Sequence, residues 1–142
     1  VEAAPKPPAS GPAPQMRATL TIKYRAASED DSSTGQMLVN VTTGQTGQAA
    51  VWERECGVHA RANADVPGTD VDQFWSIRAD LGKDSGGRAV ALVRYRLVTS
   101  AGAAQWQERS LLLDGKDTLA LDALSARTNC RYDRFYVTIS AK

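Results

Sequence analysis

From Met16 onward, apolar and polar side chains alternate along the chain. Ala18, Leu20, Ile22 and Tyr24 take turns with Thr19, Thr21, Lys23 and Arg25. A period of two puts one set on each side of a pleated strand, so this stretch predicts a half-buried strand. The polar run 28–33 predicts its end. Met37, Val39 and Val41 form the inner face of a second strand, stopped by Thr43-Gly44. Residues 48–56 read as a third strand, and 73–81 as a fourth with Trp75, Ile77, Ala79 and Leu81 on one side. The glycine-rich stretch 82–87 predicts a turn. The cleanest alternation follows, in Ala89, Ala91, Val93, Tyr95 and Leu97. Residues 105–113 make a further strand, Asp114-Gly115 is a hairpin signal, and 118–122 predict a short return strand. A last strand spans 131–140 with Phe135, Val137 and Ile139 inward; only 119–127 offers a helical turn. Seven or eight short strands between regular turns predict an all-β domain, a two-sheet antiparallel sandwich.

The pattern is different before Met16. Residues 1–15 hold five of the six prolines, set among alanine and glycine. Proline fixes φ and removes the amide donor, so this segment predicts a disordered or polyproline-like tether to a domain spanning 16–142. Such tethers follow a cleaved signal or lipid anchor in envelope proteins, which predicts an extracytoplasmic, periplasmic or secreted protein. No run of about 18 apolar residues occurs, so no membrane span is expected. The formal net charge of +1 argues against bulk capture by nucleic acid. Nine Lys/Arg against five Asp/Glu from Arg88 onward, and eight against eleven before it, give a mild asymmetry of +4 and −3.

Cys56 and Cys130 are the only cysteines. An even count behind a secretory-looking tether predicts one disulfide between an early and a late strand. The competing reading is zinc, held by Cys56, His59, Cys130 and Asp133 at three-residue spacings. Trp52 shares strand parity with Cys56, and a tryptophan near an inter-sheet disulfide resembles immunoglobulin-type domains. The gap from Cys56 to Trp75 and the Thr128 two residues before Cys130 depart from that pattern. The resemblance therefore implies an immunoglobulin-like or jelly-roll-like sandwich and no family membership.

Candidate chemistry is sparse. Asp84-Ser85-Gly86-Gly87 resembles the segment around the nucleophile of chymotrypsin-like proteases, with His59 as the one available base. The chain is too short for two barrels, and a strand reversal accounts for the glycines. Glu53 and Glu55 share a strand face and read as solvent-facing charges. Glu29, Asp30 and Asp31, with Asp65, Asp70 and Asp72, could supply oxygen ligands for calcium but lack EF-hand spacing. Asn40-Val41-Thr42 matches the glycosylation sequon inside a strand, and no glycan is expected there. Trp106 shares a face with Glu108 and Ser110, and Tyr132, Arg134 and Tyr136 share another polar face. Joined on one surface, Trp106, Tyr132, Arg134 and Tyr136 would make a ligand or partner patch, which Arg94 and Arg96 could extend. The expectation is a non-enzymatic extracytoplasmic binding or assembly module, without cofactor, whose partner is a protein or a glycan. The alternatives are a carbohydrate-binding module and a structural subunit of a surface appendage or secretion complex. The latter predicts a long unpaired edge strand.

Overall fold

The computed structural model describes residues 15–64, 66, 68 and 71–142. The tether expectation, apart from Gln15, lies outside the described residues, as do Asp65 and Asp70. The described chain forms β1 (Arg17–Ala27), β2 (Ser32–Thr42), β3 (Gly47–Arg54), β4 (Gly57–Ala62), β5 (Gln73–Lys83), β6 (Ala89–Thr99), β7 (Gly102–Ala103), β8 (Gln107–Leu112), β9 (Thr118–Leu124) and β10 (Arg134–Ala141). A four-stranded sheet runs in the order β2-β1-β10-β9. A six-stranded sheet runs β4-β3-β5-β6-β7, and β8 also pairs with β6. Every strand pair is antiparallel. No helix among the described residues is long and apolar enough to cross a membrane.

The alternation in the sequence becomes the two inner faces. Leu20 and Ile22 of β1, Val39 and Val41 of β2, and Phe135, Val137 and Ile139 of β10 pack beneath Val51, Ile77, Ala79, Ala91, Val93 and Leu111 of the other sheet. Phe135, Val137, Ile139, Ile22 and Val93 are wholly removed from solvent. At roughly 1.5–3 kcal/mol for each large side chain buried, this shared core is the main favourable term that holds the sheets face to face. Trp75 belongs to it, tilted against Tyr95.

Three readings of the pattern change. Residues 48–56 are not one strand: β3 ends at Arg54, and Glu55 and Cys56 turn the chain with φ of 48° and 70° before β4. A two-residue turn with both φ positive matches the right-handed twist of its flanking strands, a geometry usually met by Asn-Gly. Neither Glu nor Cys advertises it, so β4 is hidden from the pattern. Asp114-Gly115 makes a tight turn, Asp114 accepting from the backbone N–H of Lys116 and Asp117 at 2.8 and 3.0 Å. It is not a hairpin, because β8 lies in the six-stranded sheet and β9 in the four-stranded one; the turn carries the chain across the sandwich. The segment 119–127 is β9 followed by a loop, with no helical turn.

Candidate functional site

Side chains at even positions of β5 and β6 point away from the core. Strand register then dictates what meets on the outer face of the six-stranded sheet. His59, Trp52, Phe74 and Val98 lie in one row across β4, β3, β5 and β6. Arg61, Ala50, Ser76 and Arg96 form the next, and Gln48, Arg78, Arg94 and Glu108 the one after. With Arg54, the outward positions of these strands carry five arginines against Asp80 and Glu108 as carboxylates.

The arginines are arranged on rings. The Arg96 guanidinium sits 4.6 Å and that of Arg78 5.2 Å from the centre of the Trp106 ring. Arg61 lies 5.6 Å over Trp52, on which His59 stacks at 5.8 Å. Trp52 is thereby buried although it is on the outer face, whereas Trp106 keeps 37% of its surface exposed. The Nε atoms of Arg78 and Arg96 are covered and make no hydrogen bond. Among the described residues no carboxylate pairs with Arg61, Arg78 or Arg96; Arg94 reaches Asp80 at 3.7 Å. Arg78 is directly opposite Arg94. Like charges opposed on neighbouring strands cost roughly 0.2–1 kcal/mol, so this arrangement is not what stability alone would select.

The four residues of the expected patch are not brought onto one surface. Trp106 is on the outer face just described. Arg134 and Tyr136 are on β10, on the outer face of the four-stranded sheet, where Arg134 pairs with Asp122 at 2.8 Å and Arg25 covers the Tyr136 ring at 4.5 Å. A groove of about 580 Å³ opens there between Lys23, Arg25, Thr34, Gln36, Tyr136 and Thr138. Tyr132 precedes β10 and lies at the end of the sandwich, beside Gly57 and Val58. Arg94 and Arg96 do extend the surface around Trp106. The guanidinium groups of Arg78 and Arg61 complete it, and the sequence reading missed both. The even parity of Arg78 in a strand with an odd inner face is a signal that could have found it; Arg61 is on β4, whose inner face is even and which the alternation did not reveal.

The end of the sandwich that holds the β3–β4 turn takes up the other candidate residues. Cys56 and Cys130 form a disulfide, Cα to Cα 5.3 Å, so their sulfur atoms are not zinc ligands. It joins a turn to the loop 125–133 instead of two strands. Among the described residues no three His, Cys, Asp or Glu converge as a metal-ion site would need. Asp31 pairs with Arg131 and caps the Ser32 N–H at 2.8 Å. Asp72 accepts two bonds from Arg127, at 2.9 and 3.1 Å, and one from the Glu55 N–H at 3.0 Å. The Arg127 hydrogen bond, helped by that of Glu55, holds the Asp72 carboxyl below its ordinary range. Glu53 is not a solvent-facing charge: it faces inward and is 1% exposed. Its Oε1 accepts from the Gln73 side chain and from the Ala126 N–H, both at 2.8 Å. Ser85 is in the turn beyond Lys83 and His59 is level with Phe74 near the opposite end of β5, so they form no catalytic pair. Asp84 serves that turn, accepting from the N–H of Gly86 and Arg88 at 2.9 Å each.

Compared with known proteins, the chain matches no protein-family model, no curated protein and no solved structure. The chemistry of the site must therefore be read from its own groups. Arginines held on aromatic faces offer fixed positive charge, forked N–H donors and flat apolar area together.

Proposed function

We propose that the protein is a non-enzymatic binding module of the bacterial envelope or of a secreted protein, working in an oxidising compartment outside the cytoplasm. Its ligand is an anionic glycan, bound by the arginine–aromatic face of the six-stranded sheet. The observation that carries this reading is the Arg78–Trp106–Arg96 stack, flanked by Arg61 on Trp52. Sugar rings stack on indole, and carboxylate or sulfate groups accept bidentate bonds from guanidinium. The Cys56–Cys130 bond fits the compartment. The disulfide between Cys56 and Cys130, the stacking of His59 on Trp52 and the turn bonds of Asp84 support a binding role over a catalytic one.

Binding to polygalacturonate, to neutral dextran and to single-stranded polythymidylate tests the reading. Polygalacturonate binds, and more weakly as salt rises. The variant R78A/R96A and the variant W106A each lose about tenfold in affinity with the fold retained. Equal affinity for dextran, equal affinity for polythymidylate, or unchanged binding by both variants overturns it.

A further inference from the structure

We propose that the free edge of β2 is where a second copy of this chain adds, strand antiparallel to strand, to make a symmetric dimer with a continuous eight-stranded sheet. β2 pairs with β1 through all of its eleven residues, Ser32 to Thr42. No strand pairs with its other side among the described residues. An open edge presents a row of unpaired N–H and C=O groups, and proteins usually blunt it with charge, proline or a bulge. The remaining edges here follow that rule: β4 carries His59 and Arg61, β8 carries Glu108 and Arg109, and β9 carries Asp122. β2 is the longest of these edges and has no charged residue and no proline. It also leaves Leu38 56% exposed on the outer face.

The composition of β2 identifies the occupant. Read outward from Leu38 in both directions, the strand matches itself: Met37 against Val39, Gln36 against Asn40, Thr34 against Thr42. A two-fold axis at Leu38, perpendicular to the sheet, sets these residues opposite one another across the new ladder. On the inner face Met37 then meets Val39 and Val41 meets Gly35, while on the outer face amide meets amide, hydroxyl meets hydroxyl, and the two exposed leucines cover each other. A symmetric interface requires this self-complementarity; a strand of unrelated sequence does not. The chain's own N-terminal segment is a poor donor, since five of its first fourteen residues are prolines without an amide N–H. The pairing also sets two copies of the Lys23, Arg25 and Tyr136 groove on one side of the extended sheet. It does not involve the arginine–aromatic face and does not depend on what that face binds.

Sedimentation velocity of the full chain, from dilute solution up to the millimolar range, reads the dimer directly, without a ligand. A monomer–dimer shift obeying mass action is expected. Q36K/N40K, which opposes lysine to lysine across the axis at exposed positions, weakens the dimer by about tenfold or more and leaves the circular dichroism unchanged. T118K/A120K, on the β9 edge, leaves the dimer intact. The native cysteines are tied up in their disulfide, so L38C oxidises to a covalent dimer, and does so much faster than Q36C. A monomer at every concentration, a dimer indifferent to Q36K/N40K, a dimer lost in T118K/A120K, or equal cross-linking of L38C and Q36C overturns the proposal.

Discussion

A single buried carboxylate does more for this molecule than any exposed ion pair. Glu53 takes the Gln73 amide and the Ala126 N–H on one oxygen, and Gln73 passes its other contact to the Leu124 carbonyl at 2.6 Å. The three bonds fasten β3 and β5 to the end of β9. Glu53→Ala takes the buried acceptor from the Gln73 amide and the part-buried one from the Ala126 N–H and opens a void, and it costs about 2–4 kcal/mol. Glu53→Gln keeps an acceptor oxygen and loses only the charge assistance, so it costs about 1 kcal/mol. Urea unfolding at neutral pH measures both, and equal losses for the two variants refute the hydrogen-bond account. The inward turn of Glu53 was not legible. Its parity with Glu55 read as a solvent face because the turn at Glu55-Cys56 was invisible and the partners come from residues 73 and 126. Trp75 and Ile77 were legible, since their surroundings follow from alternation alone.

At the level of elements, the loop 125–133 has no regular structure yet is held to the six-stranded sheet at three points: the disulfide at Cys130, Arg127 on Asp72, and the Ala126 N–H on Glu53. All three reach the same end of the six-stranded sheet, beside the positive-φ turn. The bond between residues 74 apart removes about 4 kcal/mol of entropy from the unfolded chain. Reduction therefore lowers stability by about 2–5 kcal/mol while the remaining two ties keep the loop docked. Thermal unfolding with and without reductant measures the loss, and far-ultraviolet circular dichroism before the transition stays that of the oxidised protein. Loss of the β signal at room temperature on reduction would show that the two polar ties do not suffice. Strands whose alternation runs long, β1, β5, β6 and β10, were legible to within a few residues. β4 and the sheet change at Asp114-Gly115 were not, because each depends on which strand lies alongside, and alternation does not record that.

For the whole molecule, the sheet that closes the sandwich joins the first and last strands of the described chain. β10 pairs with β1 from Leu20–Ala141 to Ala27–Arg134 and with β9 along its other side. It inserts Phe135, Val137 and Ile139, all fully buried, into the core. Two-sheet architecture was legible from composition and period; this closure was not, since strand order is a long-range property. It sets how cooperative the protein is. Each of those three side chains stabilises the core by roughly 1.5–3 kcal/mol, and a domain of this size has a net stability of about 5–15 kcal/mol. Without β10, β1 and β9 also face each other across an empty strand width with unpaired ladders. A chain ending at Asp133 therefore has no cooperative unfolding transition in urea, although it keeps every residue of the six-stranded sheet. Supplying residues 134–142 as a separate peptide restores part of the transition, with a midpoint that rises with peptide concentration. A truncated chain that unfolds cooperatively on its own would show that the six-stranded sheet with β1 and β2 is a self-sufficient unit, and that closure by β10 adds stability without defining the fold.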